Sequence, residues 1–237
     1  MASEPTQAFP HLAPTQAVRE SYGELFLDHQ VPNRPAKEAF DRLVGGTVLL
    51  AVAPVVLAIA IAHAFLATIL PSERGPLLIS YTAVSRGLKF QKYKFRVVRR
   101  AHVDSAAALA RDWHAYAAEW DPARRTLLGH VLKKFYLDEI PQLINVVLGN
   151  MSLVGPRPLA LHHYERDCAQ GNIQRAAIKA GLFGPSQALK GTPRYGEQDD
   201  EYKYLHAMKS MPPGRLILYD LRLIGLGMLR VAQGKGL

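Results

Sequence analysis

Two adjacent acids, Asp138 and Glu139, stand between a pair of lysines, Lys133 and Lys134, and an arginine fixed between two prolines, Pro156-Arg157-Pro158. Carboxylates in the first turn of a helix meet unpaired backbone amides and the positive end of the helix dipole, which help to keep them ionised and nucleophilic. The same amides hold phosphate. The flanking prolines restrict the backbone of Arg157 and aim its guanidinium, a fork that matches phosphate oxygens. An anionic nucleophile ringed by cations suits group transfer from a phosphorylated substrate. Acids in a first helical turn are also ordinary capping residues, and a loop arginine is commonly a surface group, so residue types alone leave both readings open.

These residues need elements to position them. Leu137 to Gly149 reads as a capped helix beginning at the acids, with Pro141 early and Gly149 at its end. Thr126 to Tyr136 reads as a basic helix, and Val103 to Glu119 as an alanine-rich one closed by Asp121-Pro122. Leu77 to Thr82 and Phe90 to Val98 are strand-like, and Ser85-Arg86-Gly87 between them offers a turn, which predicts a small antiparallel hairpin. Near the C-terminus, Arg215, Arg222 and Arg230 recur at helical spacing, the pattern of a helix on an anionic membrane surface or of a core helix with a solvated basic stripe.

The chain of 237 residues, 49% hydrophobic, suffices for the core of one domain. Cys168 is the lone cysteine, and no Cys-x-x-Cys or His-x-x-x-His spacing occurs, so an internal disulfide and a zinc site of that type are excluded. A net charge of +9 calls for an anionic partner. Nucleic acid is not expected, because no aromatic-basic interleaving or recognition motif accompanies the charge. Membrane is, because Leu43 to Leu70, 28 residues, contain no Asp, Glu, Lys or Arg. About 40 residues precede this segment and no cleavage pattern follows it, so it is not read as a signal peptide.

Pro54 interrupts the apolar segment, leaving either a kinked spanning helix or a helix-break-helix hairpin with arms of about 16 residues, roughly 24 Å each. Lys37 and Arg42 precede it and a dense basic stretch from Arg74 to Arg100 follows, so a hairpin keeps both basic ends on the cytoplasmic side. His63 is an ionisable group within the apolar run, a costly placement at membrane depth. Residues 1–36, with Pro5, Pro10, Pro14, Pro32 and Pro35, are expected to form a loosely ordered leader, with a short helix around Gln16 to Leu27 as an exception; residues 37–237 are expected to form the domain. His162 and His163 read as a polar surface pair, and Trp113 and Trp120 as core or interfacial anchors.

Several stretches together resemble a known family: Lys37-x-x-x-Asp41, the proline-broken apolar segment, Gly75-Pro76, Tyr93-Lys94-Phe95-Arg96, Leu137-Asp138-Glu139-Ile140-Pro141-Gln142-Leu143, and Gly149-Asn150-Met151-Ser152-Leu153-Val154-Gly155-Pro156-Arg157-Pro158. Weaker stretches are Gly181-x-x-Gly184-x-x-Gln187 and Asp220-Leu221-Arg222. The chain is similar, from about Lys37 to Arg230, to the bacterial sugar transferases, monotopic polyprenol-phosphate phosphoglycosyl transferases in their small form.

The resemblance implies an α+β fold, predominantly helical, with a re-entrant helix-break-helix hairpin (about 37–70, broken at Pro54), interfacial amphipathic helices and a small antiparallel β-hairpin. It places the chain on the cytoplasmic leaflet of a bacterial inner membrane, with Lys37 and Asp41 as interfacial anchors. It implies Asp138 as nucleophile on a UDP-sugar, UMP as leaving group, and a covalent aspartyl-phosphosugar passed to polyprenol phosphate. Glu139 with Asp138 would hold Mg²⁺, and Arg157, Lys133, Lys94 and Arg96 would bind substrate phosphates. A homodimer is compatible with this reading. The family's arginine five positions before the nucleophile is Lys133 here, and its Pro-Gly-x-Thr-Gly is Ala180-Gly181-Leu182-Phe183-Gly184. Such departures leave a second function class, a membrane scaffold of the same fold with impaired turnover.

Overall fold

The computed structural model describes residues 12–188 and 197–232. Two short helices, α1 (Gln16–Ser21) and α2 (Gly23–Leu27), open the described chain within the expected leader. They bury Val18 and Leu25 in the main core together with Val31, so this part of the leader packs as structure.

α3 (Pro35–Ala51) starts on a proline, which costs nothing in a first turn where the amide has no intrahelical partner. α4 (Ala53–Ile69) follows at once, bent by 50° from α3, with Pro54 in its first turn. The missing Pro54 amide accounts for the break at the expected position. Among the described residues no single helix is long and apolar enough to cross a membrane; this bent pair passes the test only together. On α4, Val55, Leu57, Ile61, Phe65 and Ile69 are exposed, and Ile59 is buried.

The predicted hairpin is present as β1 (Leu78–Ser85) and β2 (Leu88–Phe95), antiparallel, in register from Leu78 opposite Phe95 to Ser85 opposite Leu88. Its turn residues Arg86 and Gly87 both take positive φ, 50° and 71°, the geometry whose twist suits a two-residue hairpin loop. The single alanine-rich helix expected over Val103 to Glu119 is instead α5 (Ser105–Leu109) followed by a 3-10 run, Trp113–Trp120. Two aspartates explain the split. Asp104 caps α5 through the amides of Ala106 and Ala107, and Asp112 caps the second piece through the amide of His114. Between them Arg111 turns left-handed (φ 55°), and its carbonyl accepts the Thr82 amide of β1 at 2.8 Å.

α6 (Leu127–Lys134) is capped by Thr126. The helix expected from Leu137 to Gly149 is a 3-10 turn, Leu137–Glu139, and then α7 (Gln142–Val147), which ends before Gly149 at φ 80°. β3 (Ser152–Val154) and β4 (Leu159–Ala160) follow, then α8 (Leu161–Ala169), α9 (Gln174–Ala177), β5 (Gly181–Phe183), α10 (Pro185–Ala188), α11 (Asp199–Ser210) and α12 (Pro213–Ala232). β4 adds to β1, extending the hairpin to a three-stranded antiparallel sheet, and β3 pairs in parallel with β5. At that pairing Gly155 and Gly181 lie so close that a Cβ on either would run into the other's backbone.

The main core gathers β1, β3, α11 and α12 around Tyr202, Tyr204, Leu205, Leu216 and Met151. On α12, Leu216 and Leu223 point in while Arg215 and Arg222 are exposed beside Leu218, Leu221 and Leu226. The Arg230 side chain lies outside the described residues. The architecture is mostly helical with a small antiparallel sheet, as expected.

Lys37 and Asp41, expected as interfacial anchors, are buried instead, each 4% exposed. Lys37 Nζ lies 2.6 Å from Asp220 Oδ2 and 3.3 Å from Asp41 Oδ2, the Ser152 hydroxyl donates to Asp41 Oδ2 (2.6 Å), and the Tyr204 hydroxyl donates to Asp220 Oδ1 (2.7 Å). A charged pair one turn apart on a helix reads as surface, but here its third partner is 183 residues away on α12. The network fastens α3 to β3, α11 and α12.

Candidate active site

The acids sit on the 3-10 turn just after Tyr136, a non-glycine residue in the left-handed region (φ 55°). Backbone strain of this kind is held in place by its surroundings and concentrates at functional sites. Pro141 and α7 follow, and Asn145 of α7 fixes the turn against β2. Its amide nitrogen donates to the Gln91 carbonyl (2.8 Å), and its carbonyl accepts the Tyr93 amide (3.1 Å). That clamp sets the register between the acids and the inward face of β2, where alternation points Phe90, Lys92 and Lys94 the same way.

Lys94 Nζ lies 3.0 Å from Asp138 Oδ2, 2.9 Å from Glu119 Oε2 and 4.0 Å from Glu139 Oε1. Lys133 Nζ lies 3.0 Å from Glu119 Oε2 and 3.7 Å from Asp138 Oδ2, above the ring of Trp120 at 4.9 Å. Arg157 Nη2 approaches Glu139 Oε1 at 3.5 Å. Asp138 is almost covered (1% exposed), whereas the Arg157 side chain retains 21% of its exposure and marks the open side of the cluster. Asp138 Oδ1 is a buried oxygen with no hydrogen-bond donor.

Burial and charge compete here. Burial disfavours a charged Lys94, yet Asp138 and Glu119 overcome it and hold its pKa well above the ordinary lysine value. Burial prevails at Lys133, whose pKa is lowered although Glu119 opposes it. At Glu139 burial pushes up, but Arg157, Lys92, Lys94 and Lys133 together bring the pKa down to about 2. At Glu119 burial is likewise outweighed by Lys133 and Lys94, which keep it ionised. Lys92, buried with its ammonium 5.7 Å over the Tyr81 ring, is lowered to about 7, chiefly by burial.

The structure thus brings together Asp138, Glu139, Arg157, Lys133 and Lys94. It does not bring Arg96 to them. All three guanidinium nitrogens of Arg96 donate to backbone carbonyls, those of Pro76 (2.8 Å), Val98 (2.6 Å), Glu73 (2.8 Å) and Arg74 (3.3 Å). β2 ends at Phe95, so the alternation that would set Arg96 beside Lys94 is lost, and the residue instead straps the loop before β1. Two residues escaped sequence reading, Glu119 and Lys92. Glu119 was counted as the end of an alanine-rich helix; its only local sign is an acid among Ala117, Ala118 and Trp120.

The family described as bacterial sugar transferase matches residues 32–216. The chain is 34% identical over 158 residues to the UDP-glucose:undecaprenyl-phosphate glucose-1-phosphate transferase of Escherichia coli (strain K12), covering 65% of this chain and 31% of that one. It is 39% identical over 122 residues to the undecaprenyl-phosphate galactose phosphotransferase of Salmonella typhimurium (47% and 25% covered). It is 31% identical over 209 residues to the exopolysaccharide production protein PSS of Rhizobium leguminosarum bv. phaseoli (84% and 97% covered). The chain spans 31% of the Escherichia coli relative and nearly the whole of PSS. With the match running from α2's far side through the acids and Arg157 into α12, the chain belongs to the bacterial sugar transferase family.

Proposed function

We propose that this protein is a phosphoglycosyl transferase that moves a sugar 1-phosphate from a UDP-sugar to polyprenol phosphate. The observation that carries the reading is Asp138, a buried carboxylate with one oxygen against Lys94 and the other without a donor, beside a second carboxylate and a partly exposed arginine.

In the first step an Asp138 oxygen attacks the sugar-bearing phosphorus, the bond to the bridging oxygen breaks, and UMP leaves with that electron pair. Asp138 then carries the phosphosugar as an acyl phosphate. In the second step a phosphate oxygen of the polyprenol attacks the same phosphorus, the aspartyl bond breaks, and a polyprenol diphosphate sugar results. Arg157, on the open side, orients the incoming diphosphate, while Lys94 and Lys133 offset the charge that gathers as one anion approaches another. Glu119 shares both lysines with Asp138, so neither is wholly committed to the nucleophile.

Mg²⁺ is the cofactor implied by the family, and the donor set suits it: an orphaned carboxylate oxygen on Asp138 and a neighbouring Glu139 are the hard oxygen ligands it takes. Bound there, it supplies further positive charge to the donor phosphates.

The bent α3–α4 pair enters and leaves a bilayer by the cytoplasmic leaflet in this reading, which brings a soluble donor and a lipid acceptor to one site. Support comes from the 50° break, the exposed apolar side chains of α4, and α12 with its arginines beside exposed leucines.

The test is UMP release by detergent-solubilised protein with polyprenol phosphate and Mg²⁺ across a panel of UDP-sugars, with Asp138→Asn as control. Turnover with one or more donors that vanishes in the variant, and a phosphosugar adduct on Asp138 by mass spectrometry, are expected. No product from any donor would overturn the enzyme and leave the scaffold; turnover that survives Asp138→Asn would overturn the mechanism.

A further inference from the structure

A second group of chemically active side chains lies outside this cluster. The left-handed turn at Arg111 delivers Asp112, Trp113 and His114, and the first turn of α8 delivers His162 and His163. His163 is not the surface residue expected from sequence; it is 1% exposed and packs edge-on against the buried Trp113, ring centroids 5.1 Å apart. His162, above it, has its ring centroid 4.3 Å from that of His114, the two planes 29° apart. Asp112 Oδ1 accepts the His114 amide at 3.0 Å and faces His114 Nδ1 at 2.9 Å, which orients that ring. One ligand atom from each of Asp112, His114 and His162 already falls within 4.8 Å of the other two.

We propose that Asp112, His114 and His162 form a binding site for one divalent transition-metal ion of the zinc class. Two imidazoles and a carboxylate are the ligand types zinc takes, with water completing the shell; the set is too nitrogen-rich to favour Mg²⁺. The ligand atoms, within 4.8 Å of one another, must draw in to about 3.3 Å apart around a tetrahedral ion. Asp112 and His114 are half-exposed, and the contact between them can give way to an ion, whereas Trp113 and His163 beneath give His162 a rigid seat. The backbone is set in advance by the Arg111 turn and its bond to Thr82 of β1.

The ligands come from two segments 48 residues apart in the chain, His114 to His162. One segment runs on from His114 to Glu119; the other runs back from His162 to Arg157. A metal joining them would brace the two stretches that bring these residues to the acids, from outside the site itself.

The experiment is titration of full-length, tag-free, detergent-solubilised protein, stripped with chelator, with Co²⁺ read by visible absorption and with Zn²⁺ read by calorimetry. One equivalent is expected to bind. Affinity is expected to fall about tenfold or more in His114→Ala and in His162→Ala. Zn²⁺ is expected to raise the melting temperature of the native protein and not of the double variant. His206→Ala, a remote exposed histidine paired with Glu24, and Asp138→Asn should bind as the native protein does. The proposal is overturned by absence of stoichiometric binding, by binding that persists in the His114→Ala/His162→Ala double variant, or by binding lost in Asp138→Asn.

Discussion

Among the described residues, the buried charged group around Lys37 and the one around Asp138 are finished differently. In the network of Lys37, Asp41 and Asp220, every carboxylate oxygen has a donor, from Lys37, Ser152 or Tyr204. In the cluster of Lys94, Lys133, Arg157, Glu119, Asp138 and Glu139, one oxygen of Asp138 has none and Arg157 remains partly open. Buried polar groups are nearly always satisfied, so a complete network reads as a fastening and an incomplete one as a place kept for a ligand. Charge balance differs too: the incomplete cluster sets Lys94, Lys133 and Arg157 against three carboxylates, with Lys92 close to its own titration beside them, whereas the complete one holds a single cation against two.

The sharpest break of this contrast is Asp138→Asn. Turnover should fall by on the order of a thousandfold or more while thermal stability stays close to native, because Lys94 keeps Glu119 at 2.9 Å and the Asp138 Oδ1 atom has no donor to lose. Activity and melting temperature on the same preparation check both halves. Lys37→Met should do the reverse. It leaves Asp41 and Asp220 buried without their cation and should cost about 3–5 kcal/mol in denaturant unfolding, with turnover per folded molecule near native. If the two variants exchange these phenotypes, the distinction between the clusters is wrong.

Glu119→Gln should lower turnover on the order of tenfold, the size of one charge-assisted contact, by handing both lysines to Asp138, and Glu119→Asp should restore part of it. A purely structural Glu119 would move stability without this rescue. The smallest effect concerns Lys92, held near pKa 7 by burial. Between pH 7 and about 10 the unfolded chain keeps a proton there that the folded chain has lost, so the native protein should gain stability relative to Lys92→Met as pH rises, by at most about 1.4 kcal/mol per pH unit. Melting curves of both proteins across that range read the slope; a gap that stays constant would mean Lys92 keeps its proton when folded.

What sequence disclosed and what it hid follow the same division. The break at Pro54, the β-hairpin turn and the Asp138 to Pro158 run depend on neighbours in sequence, and they were legible. Lys37 was misread because its decisive partner, Asp220, is remote in the chain and only tertiary packing makes them a pair. Arg96 was misread because a motif records that residues recur together, not that β2 ends between them. Glu119 was missed because an acid at the edge of an alanine-rich stretch carries no sign of the two lysines waiting across the fold. The helix expected over Val103 to Glu119 failed for a local reason, since the Asp104 and Asp112 caps outweighed alanine's preference for continuing.

His63, the ionisable residue within the apolar run, has its ring nitrogen 3.0 Å from the carbonyl of Gly75, in the loop that Arg96 straps down. The second arm of the bent pair is therefore moored to the sheet, just as the first is moored through Lys37. In the proposed membrane-seated form, a wedge moored at both arms would tilt with the domain, and a thinner or thicker bilayer would lift or lower Asp138 with it.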